Sequence, residues 1–120
     1  MPSLLFIEDD LDVLEAFADL FVFAGWTIAG AGDGLIALEW LAAHPPPDVI
    51  LLDLKMPRCD GYEFRRRQLA EPRWRNIPTV VFTADADLDG DARTLGDLPF
   101  VRKSVEFASL LATIERALQK

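Results

Sequence analysis

Three short apolar runs, Leu4-Leu5-Phe6-Ile7, Val49-Ile50-Leu51-Leu52 and Thr79-Val80-Val81-Phe82, carry no alternation with polar residues. Runs this short cannot make a helix of ordinary length, and the absence of alternation demands burial on both faces, as in a central strand of a parallel sheet. Two weaker runs, Trp26-Thr27-Ile28-Ala29 and Phe100-Val101, read as edge strands. Between them apolar residues recur at helical spacing: Leu11 to Ala24, closed by Gly25; Leu35 to Ala43, closed by the prolines at 45 to 47; Tyr62 to Ala70; and Val105 to Leu118. One slot is weak. Ala84 to Leu98 holds five aspartates and two glycines, so only a short fourth helix around Leu88 to Leu95 is expected there, with Gly90 weakening it.

Strand followed by helix, five times over, predicts an α/β fold: one doubly wound (βα)5 domain over residues 1–120, with a five-stranded parallel sheet and helices on both faces. Placing the strongly apolar runs in the middle makes the strand order 2-1-3-4-5, a flavodoxin-like arrangement. At 120 residues, 51% of them apolar, the chain fills one core and leaves no room for a second catalytic or DNA-binding domain. Twenty acidic against 12 basic residues give a net charge of -8, which repels nucleic acid and acidic membrane surfaces. Proteins and cations are the expected partners. No apolar run is long enough to cross a bilayer and nothing near Met1 reads as a signal peptide, so the expectation is a cytoplasmic protein. Cys59 and His44 are too few for a zinc site.

In open α/β sheets, ligands bind at the carboxyl ends of the strands. There the first run ends in Glu8-Asp9-Asp10, the third in Asp53 and the fourth in Thr83, while Lys103 follows the fifth. Gathered carboxylates repel one another, and a small hard cation bound through oxygens relieves them. Mg2+ is the expected cofactor, because it is satisfied by one or two carboxylates, several waters and a phosphate oxygen. A lysine ammonium and a threonine hydroxyl supply donors for the remaining oxygens of a phosphoryl group, whose transfer needs mainly positioning and charge neutralisation. An Asp after a strand also commonly caps the next helix, and for Asp10 and Asp12 the two readings stand side by side.

These residues resemble the response regulator receivers of two-component signalling, from end to end of the chain. Ile7-Glu8-Asp9-Asp10 is similar to the family's acidic opening motif, Asp53-Leu54-Lys55-Met56-Pro57 with Asp60-Gly61 to its phosphoacceptor loop, and Pro78 through Thr83-Ala84 to its switch strand. Phe100 and Lys103 match the aromatic and lysine positions. The resemblance implies a stand-alone phosphoacceptor rather than a turnover enzyme: Asp53 takes a phosphoryl group from a histidine kinase or phosphotransfer protein and the domain then switches a downstream protein. It implies Mg2+ held by Glu8, Asp9, Asp53 and the Lys55 backbone carbonyl, a coupled switch of Thr83 and Phe100, and Lys103 as the phosphoryl clamp. Ser104 where proline is usual, Cys59 where methionine is usual, Leu14 where arginine is frequent and the poor fourth helix are departures, and none removes a group that touches the phosphoryl.

Two rival readings follow from the same residues. A degenerate receiver would bind a partner without phosphorylation, although the intact Glu8, Asp9, Asp53, Thr83 and Lys103 argue against it. A flavin module or small phosphatase of the same topology would want a loop rich in Gly, Ser and Thr after the first strand, where this chain is acidic. The arginines at 65, 66, 67, 73 and 75 read as a solvated helix face rather than a nucleic-acid surface on so acidic a chain.

Three finer expectations can be stated. On the first helix, Val13, Ala16, Phe17, Leu20 and Phe23 are expected to face the sheet, leaving Leu11, Leu14, Ala18 and Val22 as a second stripe that docks a partner helix, from the kinase or from a second copy in a homodimer. Lys55 and Asp85 stand two residues beyond Asp53 and Thr83, and the resemblance implies that these positions flank the path of hydrolytic water. In the family that the chain resembles, a cis bond to proline after the lysine aims it at the phosphoryl group; here the Lys103–Ser104 bond is expected to be trans, because a cis bond to a residue other than proline costs ~2.5–4 kcal/mol, and the ammonium is then expected to stand away from Asp53.

Overall fold

A computed structural model describes residues 2–84, 95 and 98–119. Strands β1 (Ser3–Ile7), β2 (Thr27–Ala31), β3 (Val49–Leu52), β4 (Thr79–Thr83) and β5 (Phe100–Arg102) form a single parallel sheet in the order β2-β1-β3-β4-β5. Helices α1 (Leu11–Phe23), α2 (Gly34–Ala43), α3 (Gly61–Ala70) and α4 (Phe107–Leu118) are the helical elements given bounds among the described residues. The expected short helix around Leu88 to Leu95 lies outside the described residues apart from Leu95, which is buried with Leu54 and Val81.

Successive side chains of a strand point to opposite faces, and here both faces are covered. Leu4, Phe6, Val49, Leu51, Val80 and Phe82 share one core with Phe21 of α1 and with Leu110 and Ile114 of α4. Leu5, Ile7, Ile50 and Leu52 share the other with Ala37 and Leu41 of α2 and Phe64 of α3. That double burial is why the central runs are apolar without interruption. β2 and β5 lie at the edges and are only partly buried, which accounts for their weaker runs.

The face that the first helix turns inward matches the expected one only in part: Val13 and Phe17 pack on the core as expected. Phe21 is fully buried, edge-on to Trp26 at 5.8 Å and to Phe107 at 4.9 Å, and Phe17 meets Phe82 at 5.1 Å. Leu20 and Phe23, assigned to the sheet, are instead exposed, Phe23 at 93%, and Ala16 is exposed with them. Leu14, assigned to the outer stripe, packs on the core beside Gly30. Asp12, Glu15 and Asp19 share one exposed side of the helix, so the opposite side turns inward, and burial of the Phe21 ring there is worth roughly 1.5–3 kcal/mol. The helix ends in a Schellman motif: Trp26 N–H donates to the Phe21 carbonyl and Gly25 N–H to that of Val22, with Gly25 at φ +96°. This closure carries the chain back into the sheet.

Candidate functional site

Three backbone hydrogen bonds that continue the ladder past the strand ends set the site. Glu8 N–H donates to Ala31 O at 2.9 Å, Asp53 N–H to Ile7 O at 3.0 Å, and Lys103 N–H to Thr83 O at 3.0 Å. They bring Glu8, Asp53, Thr83 and Lys103 to one sheet edge. Glu8, Asp53 and Thr83 are buried there, and Asp9 stands exposed at the rim.

Asp53 Oδ1 accepts a hydrogen bond from Leu54 N–H at 2.8 Å, and Oδ2 lies 3.2 Å from Lys103 Nζ. The same ammonium is 2.6 Å from Glu8 Oε1, close enough for a charge pair but not aimed as a hydrogen bond. Burial raises the Glu8 carboxyl to about 7 against the opposing pull of Lys103, and the Asp53 charge adds to the rise. Burial likewise raises Asp53, with Lys103 pulling the other way. For Lys103, burial favours the neutral amine, but its two carboxylate partners outweigh that and its pKa is raised. The ammonium is therefore the charge that holds two repelling acids together.

Carboxylate oxygens of Glu8, Asp9 and Asp53 all lie within 4.8 Å of one another. An all-oxygen set with excess negative charge suits a hard divalent cation that keeps part of its water shell. The residues fit Mg2+.

Asp10 resolves as a cap. Its Oδ1 accepts from Asp12 N–H at 3.0 Å and from Val13 N–H at 3.3 Å, while its own N–H donates to Glu8 Oε2 at 3.0 Å. Asp12 lies in the first turn of α1. Phe100 is half-exposed on β5 and paired with Val81, whereas the residue across from Thr83 is Arg102. Lys55 is exposed at the start of the loop after Asp53, and Asp85 lies outside the described residues. The described residues contain no cis peptide bond, as expected at Ser104. The accompanying expectation of a distant Lys103 is wrong. Anchored by its backbone to Thr83, the long side chain reaches both carboxylates, and their combined charge draws it in.

Four of the five clustered arginines are engaged locally. Arg66 and Arg67 both bridge Glu63, Arg73 bridges Glu71, and Arg65 donates to Gln68. Two residues not singled out above pair between the start of α2 and the loop that follows Asp53: Asp33, which caps α2, and Arg58, which bridges to it at 2.6 Å. The Asp33-Gly34 pair ahead of a helical run was a legible cap signal. Nothing in the sequence marked Arg58 as its partner.

A family profile described as the response regulator receiver domain matches residues 4–115. The polar-differentiation response regulator DivK of Brucella anthropi is 30% identical over 122 residues, covering 98% of this chain and 98% of its own. The transcriptional regulatory protein PdtaR of Mycobacterium tuberculosis is 33% identical over 119 residues, covering 97% of this chain and 56% of its own. The chain spans between 28% and 56% of the length of several curated relatives it matches. Among solved structures, the receiver domain of the sensor histidine kinase PA1611 from Pseudomonas aeruginosa PAO1, with a magnesium ion coordinated in its active site cleft, aligns with a TM-score of 0.88. The alignment covers 99% of this chain and 98% of that one at 24% identity, a likeness of fold.

Proposed function

Because the chain belongs to the response regulator receiver family of two-component systems, we propose that Asp53 is its phosphoacceptor and that Glu8, Asp9, Asp53 and the Lys55 carbonyl hold Mg2+ beside it. The observation that carries this reading is the convergence of Glu8, Asp53 and Lys103 at the carboxyl edge of three different strands, with Asp9 within reach. In the PA1611 receiver a magnesium ion is coordinated in the corresponding kind of cleft. Bound there, Mg2+ would neutralise phosphoryl and carboxylate charge.

The residues of the chain supply the rest. A carboxylate oxygen of Asp53 attacks the phosphorus of a phosphohistidine donor; the new P–O bond forms as the donor's P–N bond breaks, and the histidine leaves with the electron pair. The Leu54 N–H fixes the Asp53 carboxylate from behind. Lys103, already within 3.2 Å, follows the charge as it spreads over the phosphoryl oxygens, and the Thr83 hydroxyl donates to one of them. Movement of Thr83 then repositions Phe100, which is free to turn because it is half-exposed. The donor is a histidine kinase or a phosphotransfer protein. We assign its docking, or that of a second copy, to the outward side of α1, where Leu11, Val22 and Phe23 are exposed around Asp12, Glu15 and Asp19. Since Leu14 packs inward, Phe23→Glu rather than Leu14→Glu is the variant that probes this face.

Incubation with acetyl phosphate and MgCl2, followed by intact-mass measurement, tests the reading. One added phosphoryl group is expected, lost in Asp53→Asn and absent when the metal is chelated. An unlabelled wild-type chain would leave the phosphorylation-independent binding module as the better account.

A further inference from the structure

The loop leaving Asp53 turns sharply at Arg58, whose φ of +63° lies in the left-handed region. Cys59 N–H donates to the Pro57 carbonyl at 2.7 Å, so Arg58 is the centre of a three-residue γ-turn of the rarer, strained hand. Such a backbone costs of order 1–3 kcal/mol and persists only where its surroundings hold it. Glycine would adopt it freely, yet the chain has arginine.

The groups that hold it come from the start of α2. Asp33 Oδ2 accepts from Arg58 Nε at 2.7 Å and lies 2.6 Å from Nη2, while Oδ1 caps the helix by accepting from Ile36 N–H at 2.9 Å. Beside this, Gly34 N–H donates to the Cys59 carbonyl at 3.0 Å. The approach is close: a Cβ on Gly34 would stand 2.6 Å from Cys59 Sγ and 2.7 Å from its carbonyl oxygen. The Asp33 side chain is 6% exposed and that of Arg58 57% exposed, so the fixed partner is the carboxylate and the arginine reaches down to it. None of these groups enters the acidic site. They clamp the far end of the loop that carries Asp53 and Lys55.

We propose that Asp33 and Arg58 are positioning residues for the cation site: by locking the left-handed turn against α2 they preset the loop that presents Asp53 and the Lys55 carbonyl, and so strengthen Mg2+ binding. The inference rests on the phosphoacceptor reading for the identity of the site. A loop already held in its bound shape loses less freedom when the ion arrives, and partners that orient ligating groups are commonly worth tenfold or more in metal affinity.

Asp33→Asn keeps a good helix cap while removing the charge, and Arg58→Met keeps the stem while removing the fork. Calorimetric titration of the unphosphorylated protein with MgCl2 reads the effect directly. Each single variant is expected to raise the Kd about tenfold. The double variant should go no further than the weaker single one, because both cut the same bridge. Wild-type Kd values in both single variants, or losses that add in the double, would overturn the proposal; so would a Kd change that disappears when only the folded fraction, measured by near-UV circular dichroism, is counted. Should Asp33→Asn not fold, Arg58→Met and Arg58→Lys carry the test, the lysine variant expected between wild type and methionine. Acetyl phosphate labelling of the wild type separates the two levels: Mg2+ binding without labelling of Asp53 defeats the phosphoacceptor reading alone, and labelling with unchanged variant affinities defeats the clamp alone.

Discussion

Lys103 Nζ stands 3.2 Å from Asp53 Oδ2 across fifty residues of sequence. The contact exists because parallel pairing sets β4 between β3 and β5, and because Lys103 N–H bonds to the carbonyl of Thr83 at the end of β4. Lys103→Met would leave Asp53 and Glu8 facing one another without a cation. Breaking a fully buried ion pair costs about 3–5 kcal/mol, and the 19% exposure of the lysine side chain brings the expected loss below that range. Urea unfolding in metal-free buffer should show the loss, and MgCl2 should restore more stability to the variant than it adds to the wild type. Equal responses to the metal would contradict this assignment of charge.

Asp33 offers a pH dependence whose sign follows from its surroundings. Burial favours its neutral form, but the Ile36 N–H and then the Arg58 guanidinium outweigh burial and hold the carboxyl below its usual range. A depressed carboxyl stabilises the fold above the unfolded-state value of about 3.9, and that contribution is lost as pH falls through the folded-state value. The stability advantage of wild type over Asp33→Asn should therefore be level from about pH 7 to about pH 5 and shrink toward about pH 3. Chemical unfolding across that range checks it; an advantage that grows with acid would be incompatible.

Gly61 marks where the Asp53 loop closes on itself, its N–H donating to Leu54 O at 2.9 Å. A Cβ there would fall 2.4 Å from the Asp53 carbonyl oxygen and 2.8 Å from Leu54 Cα. Both are backbone atoms and neither can swing aside, so Gly61→Ala is expected to lose about 1–3 kcal/mol and to displace Asp53. Thermal unfolding should fall together with acetyl phosphate labelling. Retained labelling at wild-type rate would show the loop to be more yielding than its contacts indicate.

Lys55 is exposed two residues beyond Asp53. A long side chain over an aspartyl phosphate would obstruct attacking water. Lys55→Asn is expected to shorten the lifetime of the phosphorylated state, followed by the decay of the added mass after the phosphodonor is removed. An equal or longer lifetime would exclude Lys55 from this role.

Strand order and the backbone positions of Glu8, Asp53, Thr83 and Lys103 at one sheet edge were legible in the chain itself, because burial on both faces writes an unbroken apolar run and the ligand-binding edge of a parallel sheet begins where each run stops. Helix phase was legible only in part. Asp12, Glu15 and Asp19 mark the outward side of α1, but apolar residues flank that stripe, and the packing of Phe21 on Trp26 and Phe107 settles which of them are covered. The position of Lys103 escaped for a related reason: local peptide energetics at Ser104 suggested a re-aimed side chain, whereas the charges of Glu8 and Asp53, remote in sequence, draw the ammonium to them. Arg58 shows the limit most clearly, since its left-handed backbone is unfavourable by itself and is held by Asp33, 25 residues earlier. What depends on a residue's own neighbours and on burial pattern could be read from the order of amino acids; what depends on two distant charges or rings arriving at one place was decided only by the folded chain.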